Sequence, residues 1–256
     1  VETALIRFAQ VTKRYGGRGV FDDLSLSIRA GSFVALVGAS GAGKTTLLKT
    51  INRLVEIDSG SITIDGEAVT ALPLPTLRRR IGYVFQGIGL FPHMSVADNI
   101  GLVPRLQGAA VAGRAERIAD LLALVSLPGD LAGRYPAELS GGQAQRVGFA
   151  RALAASPSIM LMDEPFGALD PVTRSELGQA YRALHDRMGL TSVFVTHDLS
   201  EALLLADRII VLGGGGILAD LPPRDLLQYR GDESVRAMVA VVRDQADRLE
   251  ALARPV

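Results

Sequence analysis

The sequence predicts an α/β fold: a mostly parallel sheet, an antiparallel β region ahead of it and a helical insertion within it. Three observations carry this. Short apolar runs at Ser32–Val37, Ser158–Met162, Thr191–Thr196 and Arg208–Leu212 are bounded by turn or charged residues, as strands buried on both faces are. Helical runs alternate with them, at Lys44–Leu54, Pro171–Arg187 and Leu199–Leu205. Between Gly87 and Ala155 the rhythm gives way to Ala/Leu/Arg-rich helical spacing broken at Pro92, Pro104, Pro128 and Pro136.

From the N-terminus, residues 4–12 and 20–30 are strand-like around the turn Tyr15–Gly19. Leu24, Leu26 and Ile28 alternate with polar residues, so they share one face of a half-buried strand. Asp65-Gly66 lies between two β-type runs in residues 61–69 and signals a hairpin. After Arg208–Leu212 comes the Gly213–Gly216 turn, and residues 224–256 read as a helical tail. The division expected is one domain over residues 1–222, with its insertion at about 87–155, and a short tail over 223–256.

The chain has 256 residues with 27 basic and 27 acidic side chains, no Cys and no Trp. A balanced charge argues against a dedicated nucleic-acid binder, which shows a basic excess or stripe. The absence of Cys excludes a disulfide scaffold, a Cys-ligated metal and a thiol nucleophile. Residues 1–12 interleave Glu2, Arg7, Gln10 and Thr12 with apolar residues, so no leader peptide is expected there. No run reaches the roughly 18 apolar residues that cross a bilayer, so any membrane role is expected to come through a partner.

Chemistry concentrates in three places. Gly38-Ala39-Ser40-Gly41-Ala42-Gly43-Lys44-Thr45 has the phosphate-loop spacing, between a predicted strand and a predicted helix. Its glycines let backbone N–H groups and the helix N-terminus face an anion. Lys44 is expected on the β- and γ-phosphates and the Thr45 hydroxyl on Mg²⁺, with Thr46 beside them. Second, the apolar strand Ser158–Met162 ends in Asp163-Glu164. Ligands in α/β sheets sit beyond the C-terminal ends of strands, which sets Asp163 to hold the Mg²⁺ shell and Glu164 to polarise an attacking water. Third, Leu139-Ser140-Gly141-Gly142-Gln143 opens a helix to about Ala155. Ser140 is a candidate N-cap, and the bare glycine backbone makes either a plain cap or a second anion site. One nucleotide does not need two cradles from one chain, so a second site implies that Ser140 closes over a γ-phosphate held by another copy, in a head-to-tail dimer.

In these motifs the sequence resembles the ATP-binding cassette family over about residues 4–222, with Leu139–Gln143 lying between the phosphate loop and the acid pair as that family requires. The resemblance implies a P-loop NTPase (RecA-like) core with an N-terminal antiparallel β subdomain and an inserted α-helical subdomain. It also implies roles for residues that say little alone. Tyr15 stacks on adenine, and Gln86, in Gly82–Gln86, senses Mg²⁺ and water. The loop Gly167-Ala168-Leu169-Asp170 contacts the opposite protomer, and His197 contacts the γ-phosphate. Cofactors are then ATP and Mg²⁺. Partners are a second ATPase subunit, transmembrane permease subunits and an extracellular or periplasmic solute-binding protein, with no nucleic acid. The location implied is the cytoplasmic face of the cell membrane, held peripherally.

The stretch Gly87–Ser95 resembles the family's groove for a cytoplasmic helix of the permease, with Phe91, Pro92 and Met94 as apolar contacts and His93 as a polar one. With Ile51–Gly60, the Ile88–Met94 stretch is similar to importers of osmoprotectants such as glycine betaine, choline or carnitine. Residues 224–256 are too short for the paired CBS modules such importers often carry. Gly87 stands where many of them have a second glutamine, and Ala144–Phe149 departs from the usual signature-helix sequence. Alternatives are an importer of amino acids or similar small solutes, a soluble non-transport ATPase of the class, which would bring long coiled-coil insertions, and a non-catalytic nucleotide-binding module.

Overall fold

The computed structural model describes residues 4–87, 89–108, 113–167 and 169–253. Ile88 of the expected docking stretch and Ala168 of the 167–170 loop lie outside the described residues.

Two sheets organise the chain. The first contains β1 (Ala4–Tyr15), β2 (Arg18–Arg29), β4 (Ser59–Ile64) and β5 (Glu67–Ala68), antiparallel in the order β2-β1-β4-β5. Gly16 and Gly17 join β1 to β2, both at positive φ, the two-residue turn whose twist suits a hairpin. Asp65-Gly66 makes the same turn between β4 and β5, where the sequence places it. The second sheet contains β3 (Phe33–Gly38), β6 (Ile81–Val84), β7 (Ile159–Asp163), β8 (Thr191–Val195), β9 (Arg208–Gly213) and β10 (Gly216–Leu221), in the order β10-β9-β3-β8-β7-β6. Its pairings are parallel except that of β10 with β9.

β3, β7 and β8 are buried from end to end, as their unbroken apolar runs require. Their alternate residues feed two cores. Val34, Leu36, Leu161, Val193 and Val195 pack with α1 (Lys44–Ile51) and the antiparallel sheet. Ala35, Val37, Met160, Met162 and Phe194 face the opposite layer of helices. That layer draws on α3 (Val96–Leu106), α4 (Arg114–Leu124), α5 (Gly141–Leu153), α6 (Pro171–Met188) and α7 (Leu199–Leu205). The strand order sets β3, β8 and β7 side by side, so the loops leaving their C-terminal ends share one edge.

Three local features differ from the sequence reading. Pro104 does not break its helix: it sits in the last turn of α3, where only one internal hydrogen bond is lost and the chain stays helical to Leu106. α2 (Leu74–Arg79) follows Pro73 and carries Pro75 in its first turn, too short for a 3.6-residue periodicity to show. β10 falls between the Gly213–Gly216 turn and the tail, where the sequence signals no strand. It is only partly buried and gains its ladder from β9 rather than from its own apolar pattern. Short 3₁₀ turns at Gly129–Gly133 and Pro136–Glu138 follow Pro128 and begin at Pro136. At the C-terminal end, α8 (Pro223–Leu226) precedes α9 (Glu233–Ala253), whose first half buries Val235 and Val239 and whose residues from Arg243 on are exposed.

Beneath the main sheet, His185 of α6 is 1 % exposed and stacks on Phe33 with ring centroids 4.9 Å apart. His185 Nδ1 and Tyr181 OH lie 2.9 and 2.7 Å from Ser192 Oγ. Burial lowers the His185 pKa below its ordinary 6.5, and the nearby Arg182 charge lowers it further. The unfolded chain therefore binds the extra proton first. Stability should be level above pH 6.5 and fall as pH drops through that value toward the lower folded one. Urea titrations of wild type and His185→Gln from about pH 7.5 to about pH 5 would show this part of the slope vanishing in the variant. An unchanged slope would assign it to other groups.

Candidate functional site: a phosphate-loop cleft

The loop after β3 has the backbone its glycines allow. Gly38, Gly41 and Gly43 all adopt positive φ. A Cβ on Gly38 would collide with the Leu212 carbonyl, and one on Gly43 would strike the Val20 side chain, whereas Gly41 opens onto free space. The loop therefore approaches β9 and β2 too closely for side chains while leaving an open concave face. Lys44 begins α1 and folds back over the loop, its Nζ donating to the carbonyls of Gly38 at 2.8 Å and Ala39 at 2.9 Å. Burial lowers its pKa below the ordinary lysine value, an effect that the Glu164 and Asp163 carboxylates oppose.

At the next position, Thr45 Oγ1 donates to Asp163 Oδ1 at 2.7 Å. The other oxygen, Asp163 Oδ2, is buried without a hydrogen bond and faces Lys49 Nζ at 3.4 Å. Glu164 has a φ of 48°, left-handed backbone that a non-glycine residue rarely adopts. Its N–H donates to Val195 O at 3.0 Å, which fixes this conformation against β8. The Glu164 carboxylate is held by Gln86, whose Nε2 donates to Oε2 at 3.2 Å, and His197 Nδ1 lies 3.6 Å from Oε1, beyond hydrogen-bond length.

Lys44, Thr45, Gln86, Glu164 and His197 line one open cleft of about 620 Å³, which Tyr15 and Val20 line as well. The Tyr15 ring is 52 % exposed, and Lys13 Nζ lies 4.9 Å from its centre. An exposed aromatic face beside a phosphate-loop cradle is the shape a nucleoside base needs. The cleft thus gathers Tyr15, Ser40 to Thr46, Gln86, Glu164 and His197, with Asp163 reached through Thr45 and with Gly38 and Ala39 behind Lys44.

The other candidate residues stand apart from it. Ser140 caps α5 in a reciprocal box: its Oγ accepts from Gln143 N–H at 3.2 Å, and Gln143 Oε1 accepts from Ser140 N–H at 2.9 Å. A Cβ on Gly141 beside it would meet nothing within 4 Å, and one on Gly142 would touch Leu169. Asp170 caps α6, accepting from the N–H groups of Val172 and Thr173, and its hydrogen bonds to Thr173 do most to lower its carboxyl pKa. Neither group lines the Lys44 cleft.

Two residues here escape a reading of the sequence alone. Lys49 is detectable only from its i+4 spacing to Thr45, which puts both on one face of α1. Val20 reaches the cleft from β2 by tertiary packing, with no local signal.

A parallel sheet with a phosphate loop after β3 and an acid pair after β7 defines a P-loop NTPase core. The chain belongs to the ABC transporter family, whose profile matches residues 21–167. It is 50 % identical over 232 residues to the glycine betaine uptake system ATP-binding protein YehX of Escherichia coli, covering 91 % of this chain and 75 % of that one. It is 47 % identical over 240 residues to the choline transport ATP-binding protein OpuBA of Bacillus subtilis, covering 93 % of this chain but 63 % of that one, under two thirds of its length. Among solved structures, a dimeric ATP-binding cassette in a post-hydrolysis state, bound to ADP and phosphate, superposes with a TM-score of 0.79. That match is 35 % identical and covers 86 % of this chain and 99 % of the other.

Proposed function

We propose that this chain is the ATP-hydrolysing subunit of an importer for a quaternary-amine osmoprotectant such as glycine betaine. In this reading residues 1–222 are the ATPase domain, with residues 87–155 as its inserted lobe and 223–256 as an appended tail. The observation that carries it is the convergence of Lys44, Thr45, Asp163, Glu164, Gln86 and His197 on one cleft, while the Ser140 cap lies outside that cleft. A site split in this way is completed by a second copy. Ser140 to Gln143 and Asp170 of one subunit then close over the nucleotide seated in the other, in a head-to-tail dimer.

Within the cleft each side chain has a distinct role. Free backbone N–H groups of the phosphate loop and the N-terminus of α1 would face the phosphates, and Lys44 would move its ammonium from its own loop carbonyls to the β- and γ-phosphate oxygens. Tyr15 stacks on the base. The oxygen donors fit a hard cation: Thr45, Asp163 and Gln86 would hold Mg²⁺, which takes few protein oxygens and completes its shell with phosphate and water. When bound, Mg²⁺ supplies charge neutralisation at the phosphates. Glu164 accepts a proton from the attacking water, with Gln86 fixing one of its oxygens in place and His197 beside the other.

No helix among the described residues is long and apolar enough to cross a membrane, so coupling needs a docking surface. A largely apolar hollow of about 210 Å³ lies between the two lobes, lined by Leu54, Tyr83, Phe85, Val103, Arg151 and Ala152 among others. The 91–95 loop does not line this hollow; the fully buried Asn99 shapes it, its Oδ1 accepting from Phe91 N–H and its Nδ2 facing the carbonyls of Phe91, Met94 and Ser95 as donor. That leaves Phe91, Pro92 and His93 exposed, with Met94 half-buried. A cytoplasmic helix of the permease would dock on the exposed Phe91, Pro92 and His93, with this hollow as a second apolar contact. The protein then sits peripherally at the cytoplasmic membrane face, and a separate solute-binding protein delivers the solute.

The test is co-expression with the permease subunits, followed by co-purification and measurement of phosphate release in proteoliposomes with glycine betaine and its binding protein. Release should rise on adding the solute, and Phe91→Asp should abolish co-purification. Phosphate release that no quaternary amine stimulates would remove the solute from the proposal, and none under any condition would remove the enzyme.

A further inference from the structure

Arg174, on the first turns of α6, spans two loops that no single element connects. Its Nη2 donates to the Leu169 carbonyl at 3.2 Å, one residue before Asp170. Its Nη1 lies 3.8 Å from Asp198 Oδ2, one residue after His197. Asp198 itself is firmly placed: its Oδ1 caps α7, accepting from the N–H groups of Ser200 and Glu201, and its own N–H donates to Thr196 Oγ1. Leu169 is equally fixed, buried with its side chain against Gly142. The same guanidinium also faces the half-buried Glu201, whose carboxyl pKa burial raises.

The bracket is only partly made. A separation of 3.8 Å is an ion pair but longer than a hydrogen bond, and Arg174 Nε is buried with no hydrogen-bond partner among the described residues. A buried donor in that condition calls for an explanation. A shift of about 1 Å or less in either loop would close the Asp198 contact to hydrogen-bond length.

We propose that Arg174 is a positioning residue that couples the Leu169–Asp170 loop to His197, so that engagement of Asp170 by the opposite subunit tightens Arg174 on Asp198 and sets the imidazole against Glu164. The guanidinium is chemically suited to this: its planar fork addresses two acceptors at fixed separation, where an ammonium serves one at a time. Coupling then runs through a contiguous chain, Asp170–Leu169–Arg174–Asp198–His197, rather than through distance alone. The inference rests on the ATPase reading and extends it to communication between the two sites of a dimer.

A double-mutant cycle on the full-length protein tests it, with kcat, KM for Mg·ATP and the Hill coefficient read for Arg174→Met, Asp198→Asn and the double variant. Asparagine keeps the cap on α7 and removes only the charge. Each single variant should lose about tenfold in kcat with KM within about twofold and a Hill coefficient nearer one, and the double variant should lose no more than about twofold beyond the worse single one. Arg174→Lys, which keeps the charge and the stem, should fall between Arg174→Met and wild type, and it carries the test if the methionine variant does not fold. Multiplying losses in the cycle, a raised KM at unchanged kcat, or a lysine variant equal to wild type would overturn the coupling. Wild-type protein that releases no phosphate sinks the ATPase reading itself, whereas normal turnover in Arg174→Met sinks only this inference.

Discussion

Glu164→Gln should cut turnover by orders of magnitude while leaving ATP binding intact, trapping a closed dimer with two nucleotides. The substitution is nearly isosteric, so it keeps the positive-φ backbone and, with its amide oxygen turned to Gln86, that hydrogen bond, while the basic carboxylate is lost. A positioned general base contributes about 10²–10⁴ in rate, so phosphate release should fall by that factor. The KM for ATP should change little, because the amide still excludes bulk water from the same position. With the chemical step blocked, the proposed bridge from Lys44 through the γ-phosphate to the opposite Ser140 should persist. Size-exclusion chromatography should show a dimer with Mg·ATP and a monomer without it. Residual turnover at the wild-type level would assign the base to another group. Normal loss of turnover with no ATP-dependent dimer would instead remove the shared-site arrangement.

The parts of this site that are legible in the sequence are those made by contiguous residues. The phosphate loop, the Asp163-Glu164 pair and the Ser140 cap each depend on local backbone and on spacings of a few residues, and the sequence carries those directly. The strand order is another matter. Nothing in the linear pattern says that β3 and β8 are neighbours, although Lys44 and His197 meet because of it. Crossover packing decides that adjacency, and it is a property of whole layers. The same holds for Val20 and Arg174, whose roles come from which distant residues they reach. Pro104 fails as a stop signal for an opposite reason. Its penalty is local, a single hydrogen bond, and the apolar face of α3 packed against α5 outweighs it in the helix's last turn.

Lys44→Ala should lose nucleotide binding and keep its fold, and the two halves of that expectation come from the same burial. The ammonium rests on the Gly38 and Ala39 carbonyls, and burial lowers its pKa. Its charge is thus held in the folded protein against desolvation. Removing it relieves that penalty and leaves two loop carbonyls without their donor, opposing effects of similar size. The melting temperature should consequently move by only a few degrees, since about 1 kcal/mol shifts a domain of this size by roughly 2–4 °C. Binding has no such compensation. A charged hydrogen bond is worth about 1.5–3 kcal/mol, and Lys44 would make one to each of two phosphates, so affinity should drop by about 10²–10⁴-fold. Titration with a fluorescent ATP analogue and a thermal melt on the same sample separate the two effects. Wild-type affinity in a folded variant would mean that the phosphates lie elsewhere. An unfolded variant would mean that the ammonium holds the loop together more than it holds an anion. The geometry argues for the anion: an ammonium that rests on two neutral loop carbonyls beside an open glycine-lined cleft is a charge placed in advance for a partner more negative than they are.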